Sequence, residues 1–143
     1  TFLQEYLAVR LGVKLGSYIH MAGSFHIYLE DKNKADELIE NPSLCLLTEY
    51  VPPNMPEGTT PQDIEDILSV ESLIRKDASF GEKDIDSRIS NHYWKEIALL
   101  FYAYRQVKNN LPVSDCLLRN LHPVHRLLFS NCWLDNNQTQ IPS

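Results

Sequence analysis

Between Gly16 and Glu30 the sequence reads GSYIHMAGSFHIYLE, and apolar and hydrogen-bonding side chains alternate along it. Ile19, Met21, Phe25, Ile27 and Leu29 hold the odd positions, while Tyr18, His20, Ser24, His26 and Tyr28 hold the even ones. Successive strand side chains point to opposite faces. The period of two therefore predicts a half-buried strand with one core face and one face carrying two imidazoles, a hydroxyl and two phenols. Ala22-Gly23 is the weak point, because glycine inside a strand marks a bulge or a close backbone approach. A bulge there flips Tyr18 and His20 to the other side but leaves Ser24, His26 and Tyr28 together. Those three are the candidate site residues, and His20 is read as structural.

The flanks of this stretch read as helices. Leu3, Tyr6, Leu7 and Leu11 recur at helical spacing and predict an apolar stripe on a helix that stops at Gly12, a residue suited to a left-handed cap. Asp31 can cap a second helix through Glu40, with Ala35, Leu38 and Ile39 apolar and Pro42 just beyond. Ser43 to Val51 reads as a further strand. Pro52, Pro53, Pro56 and Gly58 then mark a linker over 52–60.

Beyond the linker the pattern is helical throughout. Thr60, Pro61 and Asp63 supply an N-cap, a proline at the first helical position and a first-turn acid, with Ile67, Val70, Leu73 and Ile74 on the buried side. The polar stretch 77–90 carries no assignable period. Ser90 or Asn91 caps a long helix to about Asn109, whose Trp94, Ile97, Leu100, Phe101, Tyr104 and Val107 are expected in the core. Ser114 and Pro123 each start a shorter helix, and the polar residues 131–143 are expected to fray. The expected organisation is thus 1–51, a linker 52–60, a helical extension 61–130 and a tail 131–143.

With 19 acidic against 13 basic residues the net charge is −6, which argues against a nucleic acid polymer or an anionic membrane surface as partner. The longest apolar run, Ile97 to Tyr104, is far below the roughly 20 residues that span a bilayer. Cys45, Cys116 and Cys132 are odd in number and form no CxxC, which favours free thiols in the cytoplasm. Cys116, His122, His125 and Cys132 have poor spacing for zinc, so they are read as buried thiols and helix-end histidines, with no metal ligand assigned. The acids Asp63, Glu65, Asp66 and Glu71 are read as a solvated face. The chain starts inside a helical pattern and without a Met, which points to an excerpt of a longer protein.

The stretch from Thr1 to about Asn41 resembles the later part of the thymidylate synthase family, where a helix and a short glycine turn lead to a strand with a G-G-D-x-H-x-Y signature. Here the corresponding residues are Ala22-Gly23-Ser24-Phe25-His26-Ile27-Tyr28. Gly16-Ser17-Tyr18-Ile19 is similar to the family's G-D-F-I, and Ala8 falls where the family's helix also has alanine. The resemblance implies that His26 and Tyr28 hydrogen-bond the deoxyribose 3′ hydroxyl of a pyrimidine deoxynucleotide of the dUMP or dCMP type. Ala22 replaces the first glycine and Ser24 replaces the acid, which removes a charge beside the sugar.

It further implies an α+β fold, a partial helix-strand-helix unit followed by an α-helical extension that the usual family lacks. The parent would be a homodimer that transfers a one-carbon unit to C5 of the base, with methylenetetrahydrofolate as donor. No folate-binding residue is identifiable here. The family's nucleophile is a cysteine flanked by Pro and His, and none of the three cysteines has that context, so no catalytic residue is assigned and the chain is expected to be inert alone. The competing expectation is a non-catalytic helical interaction module in which the motif is a relic.

Overall fold

The computed structural model describes residues 2–24, 26–40 and 51–134. Helices α1 (Phe2–Leu11), α2 (Lys32–Glu40), α3 (Pro61–Lys76), α4 (Glu82–Arg88), α5 (His92–Lys108), α6 (Asp115–Arg119) and α7 (Pro123–Phe129) follow in order. A 3-10 turn, Leu29–Asp31, leads into α2, and a π-helical turn, Ser130–Leu134, continues α7.

Local chemistry accounts for the helix ends. Thr60 and Asp63 form a reciprocal capping box at the start of α3, with Pro61 inside the first turn. The Asn91 side chain accepts from the Tyr93 N–H at 3.0 Å to open α5, and the Ser114 hydroxyl accepts from the Leu117 N–H at 3.1 Å to open α6. α1 closes where Gly12 adopts φ +63°, and the Val13 N–H reaches back to the Ala8 carbonyl at 3.0 Å.

The core forms where α3, α4 and α5 pack, from Ile67, Val70, Ile74, Ile85, Trp94, Ala98, Leu99 and Ala103, with Leu117 and Phe129 added by α6 and α7. α3 and α5 lie side by side and run the same way, since the Arg105 guanidinium near the end of α5 donates to carbonyls at the end of α3. α1 joins this body through the Phe2 ring, edge-on to Trp94 at 6.1 Å, and through Glu5, whose carboxylate accepts from the Met55 N–H at 2.6 Å. The proline-rich stretch carries Met55 and Thr59 into buried positions.

The structure corrects the expected α+β class. Among the described residues there is no strand, and the observed architecture is helical. The described residues between Val13 and Tyr28 have no regular structure apart from a bend at Gly23. Its expected core-facing side chains are in solvent, with Ile19, Met21 and Leu29 each more than four-fifths exposed. Alternation makes a segment fit to be a strand, but a strand persists only when a neighbour pairs its N–H and C=O groups, and none lies beside it among the described residues. What holds the segment is a side chain, as Gln4 Nε2 donates to the Gly16 carbonyl at 3.0 Å. Phe25, and the expected strand Ser43–Val51 up to Tyr50, lie outside the described residues.

Three smaller expectations also change. On α1 the residues turned inward are Ala8, Tyr6 and Val9, while Leu3, Leu7 and Leu11 are exposed. On α5 Trp94 is core, but Phe101 and Tyr104 are 39% and 41% exposed. Ala98, Leu99 and Ala103 form the buried line instead, because small residues let α5 approach its neighbours closely. Of the polar tail, Ser130–Leu134 is ordered as the π-helical turn, with the Trp133 ring edge-on to Tyr104 at 4.9 Å, and 135–143 lie outside the described residues.

Candidate functional site

The residues singled out between Gly16 and Glu30 form two separate pairs. The His26 and Tyr28 rings meet edge to face with centroids 5.4 Å apart. Tyr28 sits on extended backbone at φ −66° and ψ 144°, which keeps the pair's i, i+2 relation although no sheet supports it. The Tyr18 hydroxyl and His20 Nδ1 lie 3.2 Å apart and form the other pair. Ser24 is exposed and makes no hydrogen bond among the described residues. The polar atoms of the His26 and Tyr28 side chains likewise have no hydrogen-bond partner among the described residues, so an imidazole and a phenol stand side by side and open to solvent. Each can donate to or accept from a hydroxyl.

A second polar centre lies where α5 meets the entry to α7, and it rests on a residue the sequence reading passed over. Glu96 is 3% exposed. Its Oε1 accepts from the His122 N–H and stands 2.8 Å from His125 Nδ1. His122 in turn caps α7, its Nδ1 accepting from the Val124 N–H at 3.3 Å. The signal was present: Glu96 lies at i−3 and i−7 to Leu99 and Ala103, which places a carboxylate on the inward line of the helix. A carboxylate there needs donors, since an unpaired buried charge is strongly disfavoured.

Glu96 also lines a cleft of about 250 Å³ together with Glu82, Asp86, His92, Lys95 and Asn120. Lys95 is engaged with Asp86 at 3.1 Å. Tyr93, next along α5, has its phenol held neutral to a higher pH than usual, first by burial and then by the carboxylates of Glu5 and Glu96. No group of three or more His, Cys, Asp or Glu side chains placed to hold a metal ion occurs among the described residues.

The cysteines near the C-terminus are not where the sequence reading put them, whereas His122 and His125 do lie at a helix end, as N-cap and first-turn residue of α7. Cys116 and Cys132 are exposed rather than buried. His125 and Cys132 line a shallow, almost wholly apolar groove of about 410 Å³ between α5 and α7, walled by Phe101, Tyr104, Leu128 and Trp133. The acids Asp63, Glu65 and Asp66 lie on the outer side of α3, where Asp63 serves the capping box. Glu71 pairs with Arg75 one turn on. No helix among the described residues is long and apolar enough to cross a membrane.

No protein-family model matches the chain, and no curated protein matches its sequence.

Proposed function

We propose that the chain supplies the sugar-binding wall of a pyrimidine deoxynucleotide pocket in a thymidylate-synthase-like enzyme, with His26 and Tyr28 as partners of the 3′ hydroxyl. The observation that carries this reading is the His26–Tyr28 pair, whose rings stand 5.4 Å apart and whose polar atoms have no hydrogen-bond partner among the described residues. The motif and its flanks from Thr1 to Asn41, with α1 ending at Gly12 as the resemblance requires, add support. In this reading the parent is a homodimer that transfers a one-carbon unit from methylenetetrahydrofolate to C5 of a dUMP- or dCMP-type nucleotide. This chain's own residues orient the sugar and perform no covalent step.

Calorimetric titration of the full-length protein with dUMP and with its 3′-deoxy analogue tests the assignment. His26→Ala and Tyr28→Ala should each weaken dUMP binding about tenfold, the size of one hydrogen bond, and shrink the preference for the 3′ hydroxyl. Unchanged affinity in both variants would reject the reading.

A second reading, a non-catalytic helical interaction module carrying a relic motif, is favoured by the source of the core. Among the described residues, Ala8 is the only buried apolar residue that precedes the proline-rich stretch. It predicts that the protein binds neither dUMP nor dCMP.

A further inference from the structure

α7 is capped by an imidazole nitrogen rather than by the oxygen of a Ser, Thr, Asp or Asn side chain. Pro123 holds the first helical position and has no N–H, so Val124 supplies the first donor of the helix. That N–H donates to His122 Nδ1 at 3.3 Å, and no other acceptor serves it among the described residues. The bond fixes the state of the ring it ends on. Nδ1 accepts only when it carries no proton, so the capping His122 is neutral, with its proton on Nε2. Val124 is itself buried, and a donor stranded there is hydrated only when the first turn opens.

His125, three residues on, responds to a proton in the opposite sense. Its Nδ1 faces the buried Glu96 carboxylate at 2.8 Å, a contact that a charged ring strengthens. The His122 and His125 rings stand with centroids 6.0 Å apart, so the two responses meet in one turn of chain. Glu82 and Asp86 of α4 and His92 and Lys95 of α5 line the same cleft as Glu96, with Lys95 engaged by Asp86. Arg119 on α6 and Arg126 on α7 keep their charge wherever imidazoles titrate.

We propose that the His122–Val124 cap is a proton-sensitive latch on α7. When the His122 ring takes up a second proton, Nδ1 becomes a donor, the Val124 N–H loses its acceptor and the first turn of α7 opens, while the Glu96–His125 contact keeps the helix against α5. The new charge also faces the N-terminal end of a helix, where unpaired N–H groups repel a cation. Glu96 draws the other way, but it sets the pH of the step and not its outcome, since an imidazolium has no lone pair to offer whatever stands beside it. The latch is independent of His26 and Tyr28 and stands whether or not the nucleotide reading does.

NMR on the full chain between about pH 8 and 5, the range in which imidazoles change charge, tests the coupling. The His122 ring nitrogens report the proton, and Val124 amide exchange, divided by the intrinsic rate at each pH, reports the turn. Val124 protection should fall about fivefold, the size of one side-chain cap, and with the same midpoint as the His122 ring. His122→Asn supplies a cap that does not titrate. It should hold Val124 protection constant over the same range while His92, His125 and the carboxylates of the cleft still titrate. If that variant does not fold, the coincidence of the two midpoints in the wild-type protein decides alone. Protection that stays flat while His122 titrates, that follows His125 or His92 instead, or that falls equally in His122→Asn would overturn the proposal.

Discussion

Glu96 Oε1 and His125 Nδ1 meet at 2.8 Å, so a side chain 3% exposed in the second turn of α5 is joined to the first turn of α7. The same oxygen receives the His122 N–H, so one carboxylate organises the ring of His125 and the cap of its helix.

Removing the carboxylate should cost stability through the groups left behind. Glu96→Ala strands a backbone N–H and an imidazole nitrogen that no other side chain among the described residues serves, and should lower unfolding free energy by about 3 kcal/mol. Glu96→Gln keeps an acceptor for the His122 N–H and should lose less. Urea denaturation of the two variants checks the order, and an equal loss in both would show that charge rather than hydrogen bonding decides the site.

Arg105 ties the ends of two elements together. Its guanidinium donates to the carbonyls of Ile74, Asp77 and Phe80 at 2.9, 2.8 and 2.7 Å, while lying over the Tyr102 ring at 4.7 Å. A lysine keeps the charge but not the planar fork, so Arg105→Lys should destabilise the protein by about 1–2 kcal/mol. Thermal denaturation of the variant would show a lowered midpoint. An unchanged one means that the three carbonyls are equally well satisfied by water.

The capping box of α3 should be read out by acid. Thr60 donates to the Asp63 carboxylate from its hydroxyl at 2.7 Å and from its backbone N–H at 2.8 Å. These bonds, the hydroxyl's first, hold the Asp63 carboxyl below its ordinary value of 3.8. A carboxyl lowered in the folded state contributes stability that is complete above its unfolded value and is lost as pH falls through the folded one. Thr60→Ala should therefore destabilise by about 1 kcal/mol at neutral pH, with the difference from wild type narrowing below pH 3.8. An NMR titration of Asp63 should show its midpoint rise in the variant.

Gly12 offers a test of how α1 is terminated. A Cβ at this position meets no atom within 4 Å, so the only obstacle to a side chain is the φ of +63°. Gly12→Ala should cost about 1 kcal/mol for the left-handed backbone. The loss should appear as faster amide exchange at Val13, whose N–H bonds the Ala8 carbonyl. Exchange at wild-type rate would mean that the turn is not held by this residue.

Much of the helical part was legible because its signals are local. Thr60-Pro61-Asp63, Asn91, Ser114 and Pro123 each name a helix start from chemistry within three residues, and the structure has α3, α5, α6 and α7 where these signals lie. α4 was missed because Glu82–Arg88 is polar around a single buried residue, Ile85, which gives no period to detect. Faces were harder than starts. The broad apolar side of α5 could be rotated towards the core in more than one way, and the small residues Ala98 and Ala103 won the interior while Phe101 and Tyr104 went to the groove.

The sequence by itself determined where most of the helices begin and that α1 stops at Gly12. All of these depend on atoms close together along the backbone. Only the tertiary structure decided that the alternating stretch has no strand partner among the described residues, that Glu96 is buried, and that His125 and Trp133 share a groove with Phe101 and Tyr104. Those outcomes turn on groups tens of residues apart. A strand needs a neighbour to pair its backbone and a buried carboxylate needs donors from another helix, so neither could be settled by the pattern of the segment that carries it.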